Sequence, residues 1–488
     1  MGQGRVLDDD MMIGGYIGRG NAVRDGMVIE EAAAWFMEIL AFPYAEMEPW
    51  RRRAIMTTVY VVERFFEMLP YASFATLAYV GLRGQYDFGS VMLGWWCFTE
   101  LLFYVYCHTK LGLISKYRYE IPLVSIEEKE ALAMQMCEHM TDMEKDLGGW
   151  MVRPATKVYQ SDVAAWLVWA FTGKSRCELT PEEWVEVERI LAIFNKRLLK
   201  GPEKEWRDES EFLRPTLDKI NVSMRSLFVL GGYLGLRTFG ITLLKYDGFE
   251  WWHIADGIDY WIREPKEEDG MPILFLHGGG GGIYMYPAHF AYLVRQFPNR
   301  RIIILVVSCA TTTPAAPMMG APEITRGIDQ LLKENNISQV SVFAHSYGSV
   351  VAGWLLKHNP ACIGRLTMVD PICFQMWNPT LLLKLIYAEP SCLFHHVLYL
   401  LSRDPAFGAF LHNFSVPQHV FFPESITPPT QIFIAERDWV VDGPESYKYL
   451  MQRKAKSNLS HVDLHLVNMT HGGYLLNLNH MARFSANL

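Results

Sequence analysis

The stretch "SVFAHSYGSVVAG", Ser341 to Gly353, decides how the second half of this chain folds. A short apolar run is followed at once by a serine and then by a series of small residues, which is typical of a tight turn from a strand into a helix. Such a turn needs small side chains two positions before and two positions after the serine. Ala344 and Gly348 occupy those positions, and alanine adds only one methyl group to the glycine expected there. The pattern predicts that Ser346 stands clear of the sheet.

Outward from this turn, short apolar runs alternate with helical segments. The runs are "MPILFLH", "RIIILVVSC", "VSVFAHS", "GRLTMVD", "TQIFIAERD" and "VDLHLVN". Strands that are apolar throughout and separated by helices are buried on both faces of a parallel sheet. The sequence from about residue 246 to residue 488 therefore predicts a doubly wound α/β domain.

Polar residues follow four of these strands at the ends where active groups gather in such sheets. They are His277 with Gly278 to Gly282, Ser346, Asp438 and His471. A serine hydroxyl needs an imidazole to take its proton, and that imidazole needs a carboxylate to orient it. We therefore predict Ser346 as nucleophile, His471 as general base and Asp438 as the orienting acid.

In their order along the chain these motifs resemble the α/β-hydrolase fold from about Ile258 onward: a His-Gly loop, a nucleophile elbow, an acid after a late strand and a final histidine. The resemblance implies an oxyanion hole. One donor is the backbone N–H of Tyr347 at the helix start, and the second is the N–H of Gly278 or Gly279. It also leaves Asp370, at the end of the preceding strand, as an alternative acid.

The segment between these two strands, residues 372–429, is long enough for the helical cap that members of this fold commonly carry. Its apolar helix, with Leu382, Leu385 and Ile386, would suit an apolar substrate or would pack the cap onto the sheet. More distantly, "YQSDVAAWLVWAF", "FAHSYGS" and "MVDPICF" resemble fungal hydrolase-like proteins with a hydrophobic N-terminal region.

Residues 1–245 form a helical region with two apolar segments near the length that spans a bilayer, Phe65 to Leu82 and Phe88 to Cys107. A third such segment runs from Ser226 to Leu244. Charged side chains inside these segments and just before them argue against lipid and leave buried helices of a soluble domain as the alternative. Those side chains are Glu63, Arg64, Glu67, Glu100 and Arg237. The sequence favours association with a membrane.

Composition narrows the remaining classes of function. The net charge of −8 and the scattered basic residues exclude a nucleic-acid-binding protein. The eight cysteines show neither metal-ligand spacing nor a disulfide framework, so we expect no metal and no other cofactor. The first 12 residues lack a secretory signal. We expect an intracellular, membrane-associated protein, with an endomembrane as one location and the cytoplasm as the alternative.

Together these features predict a serine hydrolase that cleaves a carboxylic ester, with an apolar or lipid-like acyl group, through an acyl-serine intermediate. An acyltransferase using the same three residues is one alternative. A hydrolase-like binding or scaffold protein without activity is the other. The predicted partners are a small ester or lipid and a membrane, and the sequence does not indicate an oligomeric state.

Overall fold

The computed structural model describes residues 44–84, 87–114, 124–140, 142–151, 158–198, 212–220, 226–254, 258–312, 318–413 and 416–488. The first 12 residues, on which the expectation about a secretory signal rests, lie outside this described part.

Helices make up most of the described N-terminal part of the chain. Its helices are α1 (Pro49–Arg83), α2 (Phe88–Ile114), α3 (Ile126–His139), α4 (Met143–Gly148), α5 (Gln160–Thr172), α6 (Pro181–Leu198) and α7 (Leu227–Tyr246). The polar helices start at side-chain caps. Ser125 and Glu128 form a capping box before α3, and Thr180 and Glu183 form another before α6.

Three of these helices are long and apolar enough to cross a membrane, judged by length and composition alone. They are Pro49–Arg83, Phe88–Thr109 and Leu227–Tyr246, and only 11% of each apolar window is buried inside the protein. The soluble-domain alternative predicted buried helices, which these are not. Helices α1 and α2 form an antiparallel hairpin in which the rings of Tyr71 and Tyr104 meet edge to face.

The charged residues that argued against lipid have partners. Glu63 pairs with His396 at 3.0 Å, and Arg64 pairs with Glu67 one turn along α1. Glu100 is buried, and its two carboxylate oxygens accept the N–H of Leu227 at 3.0 and 3.1 Å. Its negative charge therefore lies at the positive N-terminal end of α7.

An eight-stranded sheet forms the C-terminal part of the chain. Its strands are β1 (Glu250–Ile254), β2 (Ile258–Arg263), β3 (Ile273–Leu276), β4 (Ile302–Val306), β5 (Val340–His345), β6 (Ile363–Val369), β7 (Thr430–Arg437) and β8 (Val462–Thr470). The spatial order is β1-β2-β4-β3-β5-β6-β7-β8. Strands β3 to β8 pair in parallel, while β2 is antiparallel to both of its neighbours. The predicted doubly wound α/β architecture is confirmed.

Helices cover both faces of this sheet. They are α8 (Pro287–Gln296), α9 (Ala321–Glu334), α10 (Gly348–His358), α14 (Gly443–Lys456) and α15 (Leu478–Ser485), and the cap adds α11 (Leu393–Ser402), α12 (Pro405–His412) and α13 (Val416–His419). Alternate strand residues point to opposite faces: Phe275 and Phe343 pack towards α8 and α15, whereas Leu274 and Val342 pack towards α9 and α10. Each fully buried phenylalanine contributes roughly 1.5–3 kcal/mol.

The cap lies between β6 and β7, where the sequence places it. Its first helical turns, Thr380–Leu382 and Leu383–Tyr387, bury Leu382, Leu385 and Ile386 in the main core. These side chains therefore pack the cap onto the domain, and they are not an apolar lining for a substrate.

The helical part and the α/β part share one hydrophobic core. The indole N–H of Trp150 donates to the backbone oxygen of Trp377 at 2.7 Å, and the ring of His139 bonds the hydroxyl of Tyr449 at 2.7 Å. Trp150, Trp166 and Phe194 belong to the same cluster of buried side chains as the sheet residues. Helices α3 to α6 are thus part of the structural support of the domain.

Gly348 allows α10 to start almost in contact with β3. A Cβ atom at this position would lie 2.1 Å from the backbone oxygen of Leu276. We expect Gly348→Ala to lower the unfolding temperature by roughly 5–10 °C, measured by differential scanning fluorimetry. Gly231→Ala is the matched control, because its added methyl group meets no atom within 4 Å. Equal melting of the two variants would contradict this tight approach.

Candidate active site

Ser346 lies on a sharp turn between β5 and α10. Its φ angle is 52°, in the left-handed region that costs a serine roughly 1–3 kcal/mol, and its N–H donates to the oxygen of Val369 at 3.0 Å. The turn is held by the close approach at Gly348. This backbone lifts the Ser346 hydroxyl above the sheet, as the sequence pattern predicts.

Ser346, His471 and Asp438 form a continuous hydrogen-bonded chain. The Oγ of Ser346 lies 2.9 Å from Nε2 of His471, and Nδ1 of that histidine lies 2.7 Å from Oδ2 of Asp438. Because a carboxylate only accepts, we assign the imidazole proton to Nδ1, which leaves Nε2 free to accept the proton of the serine. The three residues come from the ends of three strands.

The Asp438 side chain is fully buried and held from its other side. Its Oδ1 accepts the N–H groups of Val440 at 2.7 Å and Val441 at 3.0 Å. The ring of Trp439 packs edge to face against His471 with centroids 5.4 Å apart. These contacts fix the carboxylate and the imidazole in one relative orientation.

The pKa of His471 reflects this neighbour. Burial lowers the pKa, but the charge and the hydrogen bond of Asp438, with a smaller contribution from the charge of Asp370, raise the pKa above the ordinary value of 6.5. The imidazole is therefore a stronger base than a free histidine.

Asp370, the alternative acid, lies in the same cluster but makes no hydrogen bond to His471 among the described contacts. Its Oδ1 accepts the N–H of Ala435 at 3.1 Å, and its Oδ2 accepts the N–H of Gly472 at 2.7 Å. Asp370 is completely buried and has a φ angle of 47°. The carboxylate thus ties the end of β7 to the loop that carries His471.

The two candidate oxyanion glycines differ in their contacts. The N–H of Gly278 already donates to the hydroxyl of Tyr286 at 2.8 Å. Within the described part of the chain, the N–H groups of Gly279 and Tyr347 make no hydrogen bond. Of the two glycines, the structure leaves Gly279 with the free donor.

His277 orients the peptide between these glycines. Its Nε2 accepts the N–H of Val307 at 3.0 Å, so its proton is on Nδ1, which donates to the oxygen of Gly278 at 2.7 Å. Burial lowers the pKa of His277 to about 4, which keeps it neutral. In a trans peptide the C=O and the following N–H point in opposite directions. Holding the oxygen of Gly278 therefore aims the N–H of Gly279 away from His277.

His345 belongs to a second buried network, which the sequence did not predict. Its Nδ1 bonds the hydroxyl of Tyr286 at 2.7 Å, and its Nε2 lies 3.8 Å from Oδ2 of Asp370. Tyr286 connects this network to the N–H of Gly278. No sequence motif identifies Tyr286, since its position before Pro287 is that of an ordinary residue at a helix start.

The described residues contain no group of three or more histidine, cysteine or acidic side chains placed to hold a metal ion.

The sequence around the Ser346 elbow matches a known protein family. A family model described as alpha/beta hydrolase matches residues 290–371, which include β4, the Ser346 elbow and Asp370. The C-terminal half of the chain has the α/β-hydrolase fold. No curated protein matches the sequence closely enough to count as a relative.

Solved structures of similar fold cover about half of the chain. A bacterial membrane phospholipase A is 15% identical over 53% of this chain and 94% of its own, with a TM-score of 0.38. Naproxen esterase of Bacillus subtilis is 11% identical over 52% and 96%, with a TM-score of 0.38. A carboxylesterase of the same organism is 13% identical over 51% and 95%, with a TM-score of 0.37. Identities this low carry no information on substrate.

The neighbours of His471 make its titration a test of which carboxylate orients it. We expect Asp438→Asn to lower the pKa of His471, because both the charge and its hydrogen bond change. Asp370→Asn should lower it less, since that carboxylate acts only through space. NMR titration of 13C-labelled histidine measures both. A larger decrease in Asp370→Asn would reverse the assignment.

Proposed function

We propose that this protein is a serine hydrolase that cleaves a carboxylic ester with an apolar acyl group. The observation that carries this proposal is the chain of hydrogen bonds from Ser346 through His471 to Asp438. In this proposal residues 246–488 are the catalytic domain, residues 372–429 its cap, and residues 1–245 a helical region that associates with a membrane.

In the proposed first half-reaction, Oγ of Ser346 attacks the ester carbonyl and its proton passes to Nε2 of His471. The negative charge of Asp438 stabilises the imidazolium that forms. The N–H groups of Tyr347 and Gly279 donate to the oxyanion. Losing one such donor typically costs about 100- to 1,000-fold in rate. Collapse of the intermediate breaks the bond to the alkoxy oxygen, which leaves as an alcohol with the proton from His471.

In the proposed second half-reaction, water gives a proton to Nε2 of His471 and attacks the acyl-serine. Collapse releases the carboxylic acid and returns the proton to Ser346. Because His471 must be neutral in both halves, activity should fall as the pH decreases through a pKa above 6.5.

The surroundings of the serine support an apolar acyl group. Apolar side chains of the cap lie over the glycine loop beside it: a Cβ atom at Gly279 would be 3.2 Å from the ring of Phe407, and one at Gly280 would be 3.3 Å from Leu401. Apolar walls with a few fixed polar groups are typical of sites for apolar ligands.

Covalent labelling tests the proposed nucleophile. We expect a fluorophosphonate probe to label the full-length protein, and we expect Ser346→Ala to abolish labelling and to lower hydrolysis of a 4-methylumbelliferyl ester by roughly 10⁴-fold or more. Ser341→Ala, on the same strand, is the matched control and should keep both. Folded protein that takes up no probe at Ser346 would contradict catalysis. Transfer of the acyl group to an added alcohol in preference to water would assign acyl transfer instead.

Association of α1, α2 and α7 with a bilayer is the second part of the proposal. The apolar side chains Phe74 and Tyr79 are 67% and 62% exposed on α1. We expect the protein to stay in the membrane pellet after alkaline carbonate extraction, and Phe74→Arg with Tyr79→Arg to release it, because each arginine costs about 2.5–3.5 kcal/mol near the centre of a span.

Trp50→Arg serves as the control for this release. Trp50 is 65% exposed at the charged beginning of α1, beside Arg51, and its replacement should leave the protein in the pellet. Extraction of the wild-type chain into the soluble fraction would contradict membrane insertion.

A further inference from the structure

The cap closes over the candidate oxyanion loop. A Cβ atom at Gly279 would lie 3.2 Å from the ring of Phe407 on α12, and one at Gly280 would lie 3.3 Å from Leu401 on α11. Ser346 itself is only 9% exposed. Within the described part of the chain, a substrate that reaches Ser346 must therefore displace α11 or α12.

The same two cap helices lie on the apolar hairpin α1–α2. Helix α12 contacts α2, and His396 of α11 places Nε2 3.0 Å from Oε1 of Glu63 on α1. The side chains of His396 and Glu63 are 8% and 21% exposed. We name this contact region between α11–α12 and α1–α2 the seam.

The opposite side of the loop is packed against the third apolar helix. The turn Gly282–Met285 contacts α7, and a Cβ atom at Gly240 would lie 2.9 Å from the ring of Tyr284. The guanidinium of Arg237 lies 5.9 Å from the centre of the same ring. The loop is thus enclosed between the cap and helices that are themselves apolar and outward-facing.

Charge along α1 indicates how deep the seam lies. The charged residues of this helix before its last residue, Arg83, fall between Arg51 and Glu67, and none occurs from Met68 to Leu82. Side chains of this uncharged stretch face outward; Leu82, for example, is 89% exposed. The surface of a bilayer that receives this stretch would lie near Glu67, one turn from the Glu63–His396 contact. The seam therefore opens at the level of lipid head groups.

We propose that the substrate is a long-chain lipid ester that enters sideways from the bilayer through the seam, without passing through water. This inference rests on the proposed hydrolase function. Moving a long acyl chain into water is strongly unfavourable, whereas a seam at the membrane surface lets the chain remain in an apolar environment throughout. The ester group of such a lipid lies near the head groups, so it would meet the oxyanion loop at the same depth in the membrane.

Locking the seam tests the route. The double variant Glu63→Cys with His396→Cys, in a Cys177→Ser background, is reconstituted as full-length chain in phosphatidylcholine nanodiscs and treated with a disulfide-containing bis-maleimide. We expect the crosslink to lower hydrolysis of 4-methylumbelliferyl oleate in the same nanodisc at least tenfold, and reduction of the linker to restore it.

A second crosslink controls for general rigidity. Lys129 of α3 and Glu186 of α6 form an ion pair at 2.7 Å outside the seam, and Lys129→Cys with Glu186→Cys receives the same treatment. This control should keep its activity.

The outcomes separate the two proposals. Hydrolysis of the oleate that depends on Ser346 but is unchanged by the crosslink across the seam would overturn the route and leave the hydrolase function intact. An equal loss in the control crosslinked between α3 and α6 would also overturn the route. Failure of the uncrosslinked, folded protein to hydrolyse the ester or to take up a fluorophosphonate probe would instead overturn the hydrolase function, and the route with it.

Discussion

The approach of α10 to β3 at Gly348 is the constraint on which the rest of the site depends. A side chain there would collide with the backbone of Leu276, so the turn can be this tight only with glycine. The tight turn forces Ser346 into the left-handed region, where a serine is strained. The surrounding strands sustain this strain, since β5 is fully buried and paired on both sides. Tight packing around the elbow thus fixes the position of the Ser346 hydroxyl group.

Two buried polar networks fix the loops around that hydroxyl. Asp438 orients the ring of His471, whose Nε2 faces that hydroxyl, while Asp370 holds the backbone of Gly472 and faces His345. Through Tyr286, His345 is joined to the N–H of Gly278. Buried polar groups are costly unless they are paired, so these networks strongly favour a single arrangement of the loops. The loops that carry serine, histidine and glycine therefore form a connected unit.

Much of this arrangement is predictable from sequence because strands that are apolar on both faces and polar residues at their ends leave a clear local pattern. Ser346 and Asp438 follow such strands and His471 follows the partly exposed edge strand β8, and in the structure His471 lies within hydrogen-bonding distance of the other two. Other features depend on contacts between distant segments. Asp438 rather than Asp370 reaches Nδ1 of His471. The hydroxyl of Tyr286 takes up the N–H of Gly278 and leaves that of Gly279 free. Likewise, the sequence shows Glu100 only as a charge inside an apolar segment. In the structure its carboxylate accepts an N–H at the N-terminus of α7.

The central claim is that Ser346 and His471 act as one catalytic unit, and a double-variant cycle on ester hydrolysis measures this directly. Residues of one unit show strongly non-additive losses, because removal of either one disables the other. We predict that Ser346→Ala, His471→Ala and the combined variant all reduce kcat to about the same level. Losses that multiply in the combined variant would contradict the account, since they would show that the two residues contribute independently.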